Sequence, residues 1–211
     1  PTTGNASYPH LALAGLGRRS EWKNSLSSNY AALGNRGPEH EGATWLNREA
    51  LDSLLDALVD GHKHFNGVRA ALFGEEDLVA GLAAFCSELG IIPVLCATGG
   101  GEGRFAETLR GVVPAHHHEQ IVVLEDADFV SIEKTLEDMD VDLLIGHSKG
   151  YTMARRLEKP LVRVGFPVHD RVDGARLRHL GYSGAQMLFD RIANTLIAEK
   201  QMKNHVGYTY Y

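Results

Sequence analysis

Two polar turns hold the side chains of this chain best suited to chemistry. The first is Gly146-His147-Ser148-Lys149-Gly150 and the second is Gly165-Phe166-Pro167-Val168-His169-Asp170-Arg171. The first turn is expected to open a helix, so free backbone N–H groups beside Ser148 and Lys149 would suit an anion. It is not a Walker A loop, because Lys149 follows Ser148 and the first glycine stands too close. The competing structural reading makes Ser148 a helix cap and leaves Lys149 in solvent. The second turn joins a rigid Pro167 to His169, a candidate metal ligand or proton carrier, and to Asp170 and Arg171, which could pair and simply lock the loop. The candidate cofactor- or ligand-binding residues are therefore His147, Ser148, Lys149, Gly165 and His169, with no catalytic residue and no metal ligand assigned.

Three further groups carry weaker signals. Gly101-x-Gly103-x-x-Ala106 follows a strand, and Glu125 stands at the end of the next one, an arrangement that superficially fits a dinucleotide-binding turn. Extra glycines and a position away from the first strand of the domain count against it. His116, His117 and His118 are adjacent, so their side chains do not converge on one ion, and a solvated loop is expected. Cys86 and Cys96 fall on apolar patterns without the paired spacing of a zinc or redox motif, and read as small buried hydrophobes in a reducing compartment.

The elements that must position these turns follow from hydrophobic periodicity. Leu51, Leu54, Leu55 and Leu58 mark a helix over 45–60 that ends near Gly61. Strands are expected at 68–73, 91–97, 121–124, 143–145 and 161–164, with helices between them, including a short one near 104–109 and another near 151–157. The acids Glu75, Glu76 and Asp77 suit the first turn of a helix. This alternation predicts a Rossmann-like α/β fold, a parallel sheet with helices on both faces. Both polar turns then lie on the sheet's carboxyl edge, where open α/β sheets bind ligands. Gly181-Tyr182-Ser183-Gly184 reads as a turn feeding a last long helix over 183–202. The expected division is an irregular N-terminal segment over 1–44, with an edge strand at 11–16 and Ser20 as a cap, a connecting helix over 45–65, the Rossmann-like domain over 66–170, and a C-terminal turn, helix and tail over 171–211.

Composition limits the function classes. The 211 residues hold 21 Lys and Arg against 27 Asp and Glu, a formal charge of -6, with no long basic run. A nucleic-acid groove is not expected. No apolar run approaches the roughly 20 residues of a membrane span, so a soluble, cytoplasmic protein without membrane contact is expected. The chain opens at Pro1, as expected of a processed chain or a piece of a longer one.

The run Gly165-Phe166-Pro167-Val168-His169-Asp170-Arg171, followed by His179-Leu180-Gly181-Tyr182-Ser183-Gly184 and Leu188-Phe189-Asp190-Arg191-Ile192-Ala193-Asn194, resembles the β-type signature of the nitrogenase component 1 family. Weaker likeness extends through 55–62 and 73–90. Within the family the chain most resembles the N subunit of the EN scaffold on which the iron-molybdenum cofactor is matured. The resemblance implies an α-type (E-like) partner, a second copy of the heterodimer and a reductase iron protein. It also implies an iron-sulfur cluster and a molybdenum-iron cofactor precursor in the parent complex. The family's cluster-ligating cysteines lie in an N-terminal domain whose motifs are not matched here, so no cofactor is assigned to this chain and Cys86 and Cys96 are not cluster ligands. The alternatives are the β subunit of a nitrogenase or nitrogenase-like reductase, and a free-standing small-ligand or nucleotide-binding α/β domain.

Overall fold

The structure is a computed structural model that describes residues 39–101, 103–179, 181–204 and 206. The expected N-terminal edge strand and Ser20 cap, and the end of the tail, lie outside the described residues. Five strands, β1 (Arg69–Gly74), β2 (Ile92–Thr98), β3 (Val122–Leu124), β4 (Leu143–Gly146) and β5 (Leu161–Arg163), form one sheet in the order β3-β2-β1-β4-β5. Every neighbouring pair is parallel. Among the described residues six α-helices accompany them: α1 (Glu39–Gly61), α2 (Glu76–Leu89), α3 (Phe105–Val112), α4 (Phe129–Glu137), α5 (Tyr151–Arg156) and α6 (Gly181–Lys203).

The two faces of the sheet are read directly from side-chain alternation. Ala70, Leu72, Cys96, Leu143, Ile145 and Val162 face a core built with α1, α2, α3 and α6. Ala71, Phe73, Leu95, Ala97 and Leu144 face the other way, against Ile132 and Leu136 of α4 and Met153 and Ala154 of α5. Strands buried on both faces explain why β1, β2 and β4 are nearly all apolar. Along β2 the alternation is interrupted: Ala70 pairs with Pro93 but Ala71 with Leu95, so Val94 is an extra residue in the ladder. Pro93 stands beside that irregularity, where a missing N–H is tolerated.

Helix α2 starts as its acids predict, with Glu75 at the N-cap and Glu76 and Asp77 in the first turn. The last helix differs from its expected form. Gly181 to Gly184 is its opening turn rather than a loop before it. From there α6 runs back against α1, and Phe189 packs on Phe65 with ring centroids 4.9 Å apart. Leu54 of α1 and Leu188, Ile192 and Leu196 of α6 belong to the same core as the sheet. That burial accounts for a helix longer than the sheet alone requires.

Candidate functional site

In a sheet of this order, the connections leaving β1 and β4 diverge, toward β2 and toward β5, and the carboxyl ends of β1 and β4 flank the point where the strand order reverses. Gly74 and Glu75 leave one side of it and His147 the other. The His147 ring stands edge-on to Phe73 and Phe129, at 5.7 and 5.6 Å between centroids. Its Nδ1 is buried and accepts or donates no hydrogen bond within the protein. Burial, with Lys149 adding to it, holds the imidazole below its ordinary pKa, and Glu75 pulls weakly the other way. At neutral pH this is a neutral ring, able to hydrogen-bond a ligand and unsuited to carrying a fixed positive charge.

Ser148 is buried and holds the two turns together. Its N–H donates to the Pro167 carbonyl at 3.0 Å, and its hydroxyl donates to the same oxygen at 2.8 Å. The hydroxyl in turn accepts the His169 N–H at 2.9 Å. Ser148 therefore does not cap the following helix, contrary to the structural reading of its sequence position. Its hydrogen-bonding capacity is spent on a segment many residues away. Lys149 and the His169 side chain face solvent beside this junction.

Gly165 has φ +78, and a Cβ there would lie 2.5 Å from Leu78 Cδ2. A side chain is disfavoured there by the left-handed backbone, and its Cβ would also push the Leu78 methyl aside. The peptide between Phe166 and Pro167 is cis. Asp170 pairs mainly with Arg163 of β5: Arg163 Nε reaches both carboxylate oxygens at 2.9 and 2.8 Å and Nη2 reaches Oδ2 at 2.6 Å. These bonds from Arg163 hold the Asp170 carboxyl below its usual range. Arg171, the partner suggested by adjacency, donates to the Asp170 carbonyl and comes only to 3.6 Å of its carboxylate. Arg163 also stacks over Tyr151 at 5.5 Å. An open groove of about 870 Å³ runs along the outer side of β5 between α5 and α6. Of its basic groups, Arg163 and Arg191 are already paired, with Asp170 and Asp173 respectively.

The glycine-rich turn after β2 is closed from inside. Glu125 Oε1 accepts the Ala106 N–H at the start of α3, at 3.4 Å. Its other oxygen lies 2.9 Å from where a Gly101 Cβ would be. A carboxylate of the protein thus stands where a dinucleotide's pyrophosphate would bind, and the acid meant for a ribose is turned into the helix end. Of the three histidines, His117 is buried rather than solvated, with Nδ1 unbonded and its ring 4.1 Å from that of His116. Burial pushes its pKa down, with His116 and His118 adding to the effect.

An iron-sulfur or molybdenum-iron group does not fit the two cysteines. Both lie in the apolar core, and burial pushes the Cys86 thiol up to about 12 and the Cys96 thiol higher still. Such thiols stay protonated, whereas a cluster ligand is a thiolate. Among the described residues no three His, Cys, Asp or Glu side chains gather to hold a metal ion, and no helix is long and apolar enough to cross a membrane.

Residues 2–197 match the family described as Nitrogenase component 1 type Oxidoreductase. The chain is 39% identical over 161 residues to the nitrogenase molybdenum-iron protein beta chain of Methanothermobacter marburgensis, covering 74% of this chain and 35% of that protein. It is 38% identical over 164 residues to the nitrogenase vanadium-iron protein beta chain of Trichormus variabilis, covering 74% of this chain and 34% of that one. The iron-iron protein beta chain of Rhodobacter capsulatus is 35% identical over 153 residues, with 72% and 33% covered. The chain thus spans about a third of the length of these relatives. Among solved structures, nitrogenase Cp1 at pH 6.5 superposes with a TM-score of 0.74 at 25% identity, over 90% of this chain and 40% of that one.

Proposed function

The chain belongs to the nitrogenase component 1 type oxidoreductase family, and from that premise we propose that it forms part of a β-type subunit working in nitrogen fixation. The observation that carries this reading is its similarity to β chains named for the molybdenum, vanadium and iron-only systems, at 39, 38 and 35% identity. In this reading the parent subunit pairs with an α-type partner in the cytoplasm, the heterodimer pairs with a second copy, and a reductase iron protein docks on the assembly. The buried, protonated cysteines support a division of labour in which clusters are held elsewhere in the complex and this domain supplies framework and contacts. The sheet-edge residues His147, Lys149 and His169 are its candidate ligand contacts, held in place by Ser148 and Gly165.

Two finer roles are separable. The turn-and-helix signature from Gly165 to Asn194 favours the N-type scaffold subunit, on which the iron-molybdenum cofactor is matured. The names of the relatives favour a catalytic β chain. The test is anaerobic coexpression of the subunit with an α-type partner from the same source. A stable heteromer containing iron and sulfide is expected. Reduction of acetylene with an iron protein and ATP assigns the catalytic role, whereas transfer of a cofactor precursor to a cofactor-free nitrogenase assigns the scaffold role. A monomer free of iron overturns the β-type reading altogether.

A further inference from the structure

Ser148 bridges the two polar turns only while the turn that carries it stays seated, and the seat is aromatic. The Phe73 ring lies against Gly146 and Gly150, the two ends of that turn, where a Cβ would strike it. Between them the His147 ring completes a triangle with Phe73 and Phe129. All three pairs meet edge to face, at 5.6, 5.7 and 5.6 Å between centroids, an arrangement that aromatic rings prefer. His147 is the titratable member of the three. Its Nδ1 is buried and has no hydrogen-bond partner. A neutral ring tolerates that position, because its proton sits on Nε2 and the buried nitrogen is bare. A protonated ring does not, because both nitrogens then carry N–H groups and the buried one has no acceptor.

The charged groups around the ring do not relieve this. Glu75, at the N-cap of α2, is exposed and favours the charged ring only weakly, and Lys149 on the same turn opposes it. On α4 the carboxylate of Asp128, next to Phe129, is taken by the Ser131 N–H at 2.8 Å. Across the junction, His169 gives its backbone N–H to Ser148 and keeps its side chain in solvent. We propose that His147 is an acid-sensitive latch: protonation drives its ring out of the contact with Phe73 and Phe129, and the movement pulls the adjacent Ser148 away from Pro167 and His169, so the two turns part. The latch rests on the geometry of the turns and holds for either subunit role. The unfolded chain takes up this proton at the ordinary imidazole value of 6.5, and the folded chain only at lower pH. The contribution of the latch is therefore whole above that value and is lost as pH falls through the depressed one. Asp170 lets go of Arg163 only below the ordinary carboxylate range, so the two events separate on the pH scale.

The test is amide hydrogen exchange on the full chain from about pH 7.5 to about pH 5, corrected for the intrinsic pH dependence of exchange. Protection of the His169 N–H, which reports the Ser148 bridge, is expected to fall severalfold over this range. Protection of the Ile92 N–H, bonded to the Val68 carbonyl at the other end of the sheet, should fall less, and an equal fall at both amides means general loosening and overturns the proposal. His147→Asn and His147→Phe leave nothing to protonate at the seat, and in both the His169 protection should lose its pH dependence. The Phe variant keeps a third ring in the triangle, so a folding defect in the Asn variant does not decide the outcome. Burial also holds His64, His117 and His179 below the ordinary imidazole value. A fall that persists in the two His147 variants belongs to one of these and overturns the proposal, as does His169 protection that is constant with pH in the native chain. Lys149→Met should move the midpoint of the fall to higher pH and Glu75→Gln to lower pH, and a midpoint indifferent to both also overturns it. His169→Gln keeps the reporting N–H and should fall as the native chain does, whereas loss of the fall in that variant assigns it to the His169 side chain and removes the latch.

Discussion

Two turns on the same sheet edge make opposite use of their residues. The turn after β2 has the glycines associated with anion binding, and it is closed by the protein's own Glu125. The turns after β4 and β5 have no standard motif, and they are joined to each other by Ser148, with Arg163 holding the second one to β5. Glycines only make room for backbone to approach a ligand. Whether a ligand can use the room depends on which side chain already stands there, and in this chain that side chain comes from the following strand. Order in a polar loop likewise comes from distant partners, since the Ser148 hydroxyl and the Arg163 guanidinium each reach across a connection to their acceptors.

The contrast can be tested by breaking each turn in turn. Gly165→Ala should have the largest effect, on the order of 2 kcal/mol of unfolding free energy, because a Cβ there meets the left-handed backbone conformation and must also displace the Leu78 methyl. Chemical denaturation measures it, and a change below about 1 kcal/mol would mean the loop shifts freely and is not fixed as described. Gly101→Ala at the other turn meets only the far end of Glu125 and should cost much less.

A pH series separates this edge from the core behind it. Glu88, on α2, has both carboxylate oxygens buried without a partner, and burial pushes its pKa up to about 9. The folded state then holds a proton that the unfolded chain releases near pH 4.5. Stability from this group is full below that pH and falls as pH rises toward 9, and Glu88→Gln should remove the slope. Asp170 acts in the opposite sense. Its pKa is lowered by Arg163, so its stabilisation is present above the ordinary carboxylate range and is lost as pH falls through its depressed value. Asp170→Asn should reduce the acid limb, to which Asp128 also contributes, and leave the alkaline one, and loss of both limbs with one variant would contradict the separation.

Ser148→Ala should cost roughly 1 kcal/mol, since the partly buried His169 N–H loses its acceptor while the Pro167 carbonyl keeps the bond from the Ser148 backbone. Hydrogen exchange at His169 should rise in the same variant and stay unchanged at Ala106. The smallest effect is expected from Glu125→Ala, below about 1 kcal/mol. It is informative for another reason, because it uncovers the start of α3. Weak binding of inorganic phosphate or a nucleotide, detected by calorimetry only in this variant, would show that the carboxylate is what closes the turn. Binding by the native chain would remove the contrast between the two turns.

Much of the architecture was legible because it depends on near neighbours in the chain. The leucines of α1, the acids opening α2 and the branched runs of β1, β2 and β4 each specify an element with its buried side, and alternating strands with crossover helices leave few topologies besides a parallel sheet. The family signature from Gly165 to Asn194 was legible too, and the similarity to nitrogenase β chains agrees with it at the level of the family. The candidate site was less legible. His147, Ser148, Lys149, Gly165 and His169 lie on one edge of the sheet, and which of them bond to one another was not legible in the sequence. Ser148 looked like a local cap and is a bridge between turns. Arg171 looked like the partner of Asp170, while the main partner is Arg163, whose place on β5 turns its guanidinium back under the loop. His117 looked solvated and is buried.

The sequence alone determined which segments fold into strands and helices, which side of each is apolar, and that the polar turns share an edge, because periodicity and turn chemistry act over a few residues. Only the tertiary structure decided which polar groups are spent on one another. Glu125 and Ala106, Ser148 and Pro167, and Arg163 and Asp170 are brought together by strand order, and Phe166 is left facing outward by the same packing. Hydrogen bonds and ion pairs depend on distances of a few ångström, and strand register sets those distances between residues that the chain itself keeps apart.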